Sequence, residues 1–380
     1  MRSAIVHYWL LGMRGGEKVV ESLCRILPDA DVFTLFYDPE RIAPGIRSHR
    51  IFVSSLDRYR RHYRSLLPLM PLALESFDLR GYDLVVSSES GPAKGVLTAA
   101  GTRHVCYCHS PMRYLWDLYP AYLHEWSRSS LKRLFMAPLA NYLRLWDYAS
   151  AARVDDFVAN SHNVQDRIVK AYRRSSRVVY PPVEVETFFC SAPEDYYLIV
   201  SELVAYKRVA DAIECFTRSG RRLKIAGSGP EYAALKRRAG RTIEFCGRVS
   251  DSELRSLYAR ARAVLMPGEE DFGIVAVEAL ASGKPLIGLG RGGLVEIAPP
   301  CPGAFLYREP GASYLQTAVE RFERQEPLIS PGPLQAAAVR FSETRFRNEM
   351  EQILFGDSTP PSHAAFVLQK VHKSPTTIAR

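Results

Sequence analysis

The chain has 380 residues, 47% of them apolar and 24% charged, with a formal net charge of +9. That length predicts two or three domains of about 100 to 200 residues, and the composition is that of a folded soluble protein. No run of about 18 uncharged apolar residues occurs, which excludes a membrane-spanning helix, and seven scattered cysteines suit a reducing cytoplasm rather than a disulfide framework. The positive excess suits nucleic acid or anionic lipid alike, but no zinc knuckle or RNA-binding strand signature accompanies it, so no nucleic-acid partner is expected.

The apolar start, MRSAIVHYWLLG, lacks a small-residue cleavage site and runs into Arg14 and Glu17, so a first buried strand over 4–10 is expected, not a signal peptide. Gly15 and Gly16 then lead into a helix over 18–27, with Val19, Val20, Leu23, Ile26 and Leu27 at helical spacing. A glycine pair there suits a phosphate loop, and equally a tight turn. Residues 31–37 read as the next strand. Over 56–67, Arg58, Arg60, Arg61 and Arg64 interleave with Tyr59, Tyr63 and Leu66, and the proline-broken run LLPLMPLAL follows at 66–74. This pattern predicts a basic amphipathic helix, suited to anionic lipid headgroups or, as an ordinary helix, to tyrosines packed inward.

Strands over 82–87 and 104–107 follow. The second ends in CHSPMRYLWD at 108–117, which gathers His109, Arg113, Tyr114 and Trp116 at a strand's carboxyl end, where open α/β sheets bind ligands. A single histidine is otherwise more often structural than functional. Cys106 and Cys108 beside His109 invite a metal, yet no second cluster has zinc spacing, so none is expected. A strand over 154–159, Asn160 and Ser161 as capping residues, a helix over 164–172 and a strand over 178–180 complete the first half. Pro181 and Pro182 mark a domain boundary.

The second half restarts the alternation with strands over 197–200, 223–226, 243–246, 263–266 and 285–288. Helices lie between them over 208–216, 230–240, 252–260 and 274–281, which predicts βα units and a parallel sheet. Its centre is MPGEEDFGIVAVE at 266–278. Gly273 lets backbone approach a ligand, and the first free N–H groups of the following helix form an anion cradle. Glu278, five residues on, suits a ribose diol, and Glu270, which a phosphate would repel, suits hydroxyls at the other end of the ligand. Glu269, Glu270 and Asp271 also suit a helix N-terminus through its dipole alone, with Glu278 a solvated helix residue. Gly292 and Gly293 form a further turn before Glu296, and helices over 314–324 and 341–354 finish the fold.

With these motifs in this order, the chain resembles the retaining GT-B glycosyltransferases of family 4, and among them the bacterial mannosyltransferase-like branch of surface polysaccharide assembly. The likeness runs over residues 1–355. It rests on Gly15 and Gly16, CHSPMRYLWD, Asn160 and Ser161, YPPV at 180–183 and YKR at 206–208. AGSGP at 226–230, FCGRVS at 245–250, the spaced pair Glu270 and Glu278, and Gly292 and Gly293 complete it. It implies an α/β chain of GT-B fold, with two Rossmann-like domains facing across a cleft. Residues 1–181 would take the acceptor and 182–340 the nucleotide sugar, with a helix at about 341–355 packing back on the first domain and 356–380 a disordered tail.

By the same likeness, Glu278 binds the ribose, and Glu270 with the backbone of Asp271, Phe272, Gly273 and Ile274 holds the donor sugar and diphosphate. Lys207 neutralises phosphate, with Arg208 beside it. Gly15 and Gly16 close the phosphate site from the opposite domain, and Gly247 and Arg248 border the base. His109 lies near the transferred sugar, Arg113 near the acceptor or donor, and Arg113 and Tyr114 are the expected acceptor-binding residues; His109 and Glu270 are the expected catalytic residues. The family commonly has an arginine five residues before the lysine, where this chain has Glu202. That removes a charged hydrogen bond worth about 1.5–3 kcal/mol unless Arg208 replaces it.

Transfer from a sugar nucleotide requires a stabilised nucleoside diphosphate leaving group, a task expected of Lys207, glycine-turn N–H groups and helix dipoles without metal or other cofactor. The likeness favours same-face substitution assisted by the leaving phosphate, with Glu270 in binding and electrostatics and not covalent catalysis. It leans towards GDP-mannose as donor, with UDP- and other GDP-sugars open, and towards lipopolysaccharide or exopolysaccharide assembly as setting. The basic stretch at 58–74 suggests a polyprenyl-diphosphate-linked oligosaccharide acceptor and a cytoplasmic protein peripheral on the anionic inner membrane face. The alternatives are a sugar-nucleotide epimerase or phosphorylase on the same fold, for which no pyridoxal phosphate lysine motif is recognisable, and a non-catalytic relative, for which Glu202 speaks.

Overall fold

The computed structural model describes residues 1–120, 130–299 and 301–356. Seven strands, β1 (Ser3–His7), β2 (Asp31–Thr34), β3 (Ile51–Val53), β4 (Leu84–Glu89), β5 (Arg103–Cys108), β6 (Asp156–Ala159) and β7 (Arg177–Val178), form one sheet in the order β3-β2-β1-β4-β5-β6-β7. Six more, β8 (Tyr197–Val200), β9 (Leu223–Ala226), β10 (Ile243–Gly247), β11 (Val264–Met266), β12 (Leu286–Leu289) and β13 (Ala304–Tyr307), form a second in the order β10-β9-β8-β11-β12-β13. Every pairing is parallel, the α/β arrangement that the alternation predicts. Strands β1, β4, β11 and β12 are buried throughout, because helices cover both faces of a parallel sheet.

The principal helices are α1 (Gly15–Ile26), α2 (Met70–Glu75), α3 (Ser130–Ser150), α4 (His162–Tyr172), α5 (Val209–Ser219) and α6 (Tyr232–Arg238). They continue with α7 (Asp251–Arg260), α8 (Ile274–Ala281), α9 (Ala312–Gln325), α10 (Pro331–Ala338) and α11 (Glu343–Phe355). Ser161 caps α4 by accepting from the Val164 N–H, and Ser250 with Glu253 forms a reciprocal capping box on α7, each satisfying N–H groups that the first turn leaves open. In the second sheet, Val209 and Phe216 of α5 with Leu315 and Phe322 of α9 pack one face, and Val277 and Leu280 of α8 with Leu334 of α10 pack the other. Contacts divide the chain into two units: Met1–Val179 with the segment from Arg347 on, and Tyr180–Phe346. Within the first unit, the Arg103 guanidinium donates to the carbonyls of Ile353 and Leu354.

Each sheet reverses its strand order once, between β1 and β4 in the first and between β8 and β11 in the second. The loops leaving such a pair diverge to opposite faces and open a crevice at the strands' carboxyl ends. In the first pair His7 ends β1 opposite Ser88, one residue before the end of β4; the second leads into the turns of Lys207 and Glu270.

The basic stretch departs from expectation. Residues Ser55–Leu69 form a tight 3-10 run interrupted by non-helical backbone at Tyr59 and His62, and only Met70–Glu75 is α-helical. Tyr63 turns inward, its ring 4.9 Å from Trp9, and Leu56, Leu66 and Leu67 join it on the core. Arg58, Arg60, Arg61 and Arg64 stay exposed, with Tyr59, Leu69 and Leu72 exposed among or after them. No described helix is long and apolar enough to cross a membrane. The expected disordered tail, 356–380, lies outside the described residues but for Gly356.

Candidate functional site

In the second unit, β11 ends at Met266 and the chain turns through Gly268 to Gly273 before α8. Gly273 adopts φ +104° as it enters α8 and makes no side-chain cap, a conformation costly for a residue with a Cβ. Gly292, at φ +63°, pairs with Glu270 in an isolated parallel bridge; a Cβ on it would lie 2.2 Å from the Glu270 carbonyl. The Gly293 N–H donates to that carbonyl at 2.9 Å. Two glycine turns therefore grip the loop before α8 and fix the direction of its first N–H groups.

The Lys207 ammonium donates to Glu270 Oε2. Burial, the strongest single influence, would lower the Lys207 pKa, but the charge and hydrogen bond of Glu270 together with Tyr206 and Asp271 outweigh it, and the ammonium is held above its ordinary range. The expected phosphate cation and the expected sugar acceptor thus face one another, in residues 63 positions apart. Arg208 has left-handed backbone, φ +54°, at the residue before α5, and its guanidinium donates to Asp211 Oδ2 in the first turn of that helix at 2.8 Å, beside Lys207. Glu202 is exposed at the end of β8.

Glu278 is not solvated. It is 5% exposed on α8 and its Oε2 accepts a 2.7 Å hydrogen bond from the fully buried Tyr258 hydroxyl of α7. Asp271 is half-buried, while the Phe272 side chain packs in the core with Tyr180 and Phe341, leaving its backbone to the turn. Gly247 ends β10 at φ +69° with open space where a Cβ would stand, its carbonyl accepting from the Gly227 N–H at 2.7 Å. The exposed Arg248 donates to Ser228 Oγ at 2.9 Å, joining the Gly247 and Gly227 turns.

In the first unit, His109 Nε2 lies 2.9 Å from Ser88 Oγ, and the buried His7 donates from Nδ1 to the Ser88 carbonyl at 2.9 Å. Gly15 and Gly16 open α1, whose first turn is closed by Glu17 accepting from the Arg14 N–H. The side of Gly16 where a Cβ would stand faces His7 Cε1 at 3.5 Å, His109 Nε2 at 3.6 Å and the Tyr8 hydroxyl at 3.8 Å. Burial, and after it the His7 charge, pushes His109 down to about 3, so at neutral pH it is an uncharged imidazole. His7, Tyr8 and Ser88 join this candidate site, and motif reading missed them; the available signal was their place beside the carboxyl ends of β1 and β4.

Arg113 pairs with Asp117 at 3.2 Å, and the Tyr114 hydroxyl donates to Met112 Sδ at 2.9 Å. Beneath them runs a buried ionic network. Lys94 pairs with Asp147 and lies 3.4 Å from Glu89, all three fully buried, and Asp147 also accepts from Trp116 Nε1 at 2.7 Å and from the Tyr172 hydroxyl. Burial pushes the Glu89 carboxyl up to about 7 against the opposing pull of Lys94.

Among the described residues, no group of three His, Cys, Asp or Glu is arranged to hold a metal. The sequence does contain one Asp-x-Asp pair, Asp29 and Asp31. It sits at the amino end of β2, away from the ligand edge, with Asp31 bound by Arg50 and Tyr82.

Two family models match consecutive parts of the chain: Glycosyltransferase Family 4 over residues 13–187 and Glycosyl transferases group 1 over residues 190–330. A stretch of 110 residues is 39% identical to glycogen synthase of Mycobacterium tuberculosis, covering 26% of this chain and 27% of that protein. Another comparison, over 124 residues, gives 39% identity to the GDP-mannose-dependent alpha-(1-6)-phosphatidylinositol dimannoside mannosyltransferase of the same species, covering 31% of this chain and 32% of that protein. The matches thus span about a third or less of those relatives' lengths. Among solved structures, Anabaena Alr3699/HepE in complex with UDP aligns with a TM-score of 0.66 at 16% identity, covering 92% of this chain and 99% of that one, a likeness of fold.

Proposed function

Since the chain belongs to the glycosyltransferases of family 4, we propose that it moves a hexose from a sugar nucleotide to a growing glycan with retention of anomeric configuration. The observation that carries this reading is the Lys207–Glu270 pair set against the amino end of α8, with Glu278 one turn further on. The pair is the resting state of the donor site. An arriving diphosphate draws the ammonium and the N–H groups of Ile274 and Val275, and Glu270, released, accepts from the sugar hydroxyls. Glu278 takes the ribose, and the Gly247–Arg248 turn borders the base.

Departure of the nucleoside diphosphate is stabilised by these preorganised donors, and its phosphate oxygen takes the proton of the attacking hydroxyl on the same face. Glu270 stays non-covalent. In the first unit, the uncharged His109 offers a hydrogen bond to the transferred sugar, Gly15 and Gly16 offer backbone to phosphate, and Arg113 and Tyr114 serve the acceptor.

Mannose from GDP-mannose is the donor we favour, supported by the likeness to a GDP-mannose-dependent enzyme. The acceptor we favour is a polyprenyl-diphosphate-linked oligosaccharide of surface polysaccharide assembly, met at the inner membrane face by the exposed arginines and apolar residues of 58–72. A non-catalytic sugar-nucleotide binder is the second reading, favoured by Glu202 and by the engagement of Arg208 with Asp211. Thermal denaturation with a panel of GDP- and UDP-sugars tests the donor: GDP-mannose should raise the midpoint most, and no shift with any member contradicts the reading. Co-sedimentation with liposomes should require anionic lipid; no pelleting with either lipid type removes the membrane role.

A further inference from the structure

Tyr258 belongs to none of the motifs, yet its hydroxyl reaches Glu278 Oε2 at 2.7 Å from a different helix. The tyrosine is fully buried on α7 and the carboxylate 5% exposed on α8. The Phe188 ring stands edge-on 5.9 Å from the Tyr258 ring. A carboxylate on a helix can swing about its terminal torsion, which is broad and poorly restrained. To meet both hydroxyls of a ribose, its plane must be fixed, and a short charge-assisted bond to one oxygen from a buried, rotamer-locked donor does that.

We propose that Tyr258 is the positioning residue that orients Glu278 for the ribose diol and so gives the site its preference for a ribonucleotide. The inference rests on the donor reading given above, in which Glu278 takes the ribose. Burial and the nearby Glu278 charge keep the Tyr258 hydroxyl protonated far above neutral pH, so it is always a donor to that carboxylate. The competing role, merely satisfying a buried acid, would support the fold without favouring one sugar over another.

The test is calorimetric titration of GDP and of 2′,3′-dideoxy-GDP, with the UDP pair alongside, into the full-length wild type, Tyr258→Phe and Glu278→Gln. The wild type should bind the better ribonucleotide more tightly than its dideoxy form. Tyr258→Phe should weaken the ribonucleotide about tenfold, the scale of one charged hydrogen bond, and leave dideoxy affinity unchanged. Equal weakening of both forms, or an unchanged ratio in Tyr258→Phe where Glu278→Gln abolishes it, overturns the positioning role and leaves the donor reading standing. A wild-type ratio near one, or no binding of any nucleotide, removes the ribose role of Glu278 and this inference together. Dideoxy binding by Tyr258→Phe also reports that the variant is folded.

Discussion

Replacing Gly16 by alanine separates folding from function at one atom. The residue lies in the first turn of α1 with negative φ, so alanine adopts its backbone without strain. The added methyl would stand 3.5 Å from His7 Cε1, 3.6 Å from His109 Nε2 and 3.8 Å from the Tyr8 hydroxyl, ordinary contact distances that ask no neighbour to move. Glycine-to-alanine exchange in a helix gains about 0.5–1 kcal/mol, so the variant should be as stable as the wild type or slightly more so. The same methyl occupies the space in front of His109, where the proposed function puts a phosphate or sugar hydroxyl. A misplacement of about 1 Å in such a site costs on the order of 100-fold, and that loss in kcat/KM is expected. The assays are denaturant unfolding and acceptor-dependent release of nucleoside diphosphate. Release within about twofold of wild type in a fully folded variant would refute the placement of substrate at this turn.

Asp147→Asn leaves Lys94 buried without its closest counter-charge, and breaking a buried pair in this way costs about 3–5 kcal/mol; a denaturation midpoint near wild type would count against the network's role in holding Trp116 and α3. His109 sets a pH dependence. Its folded pKa of about 3 lies below the ordinary value of 6.5, so the unfolded chain binds more protons between them, and stability falls as pH drops from 6.5 towards 3. His104, pushed down to about 4, acts in the same sense, and Glu89, raised to about 7, in the opposite sense. His109→Gln should flatten this acid limb in pH-dependent unfolding, and an unchanged limb would contradict its buried, uncharged state.

Much of the fold was legible because parallel strands covered on both faces carry short apolar runs ended by glycine turns. Residues Tyr197–Val200, Leu223–Ala226 and Ile274–Ala281 occupy the spans their sequences predict. Helix α3 was not legible: it carries Pro138 inside it, and apolar Tyr142, Leu145 and Tyr148 lie exposed while Ala140, Leu143 and Trp146 pack inward, so the buried face has no polar contrast in the sequence. β3, a three-residue edge strand with two exposed positions, carries too short an apolar run to mark a strand. The arginine-rich run read as an amphipathic helix because its spacing fits 3.6 residues per turn, but Tyr63 and Leu67 reach the core from a tighter, kinked backbone. At the site, motif order located the turns, but pairing lies beyond spacing. Lys207 facing Glu270, and Tyr258 reaching Glu278, follow from neighbouring strands and helices brought together by crossover connections.

The most direct measurement of the central claim is acceptor-dependent release of nucleoside diphosphate from a sugar nucleotide in the presence of EDTA, for the wild type and Lys207→Ala. Lys207, glycine-turn N–H groups and the α8 dipole should sustain release by the wild type without divalent metal, and loss of the ammonium should reduce it by about two orders of magnitude. Release abolished by EDTA, or equal in Lys207→Ala and the wild type, would contradict the account.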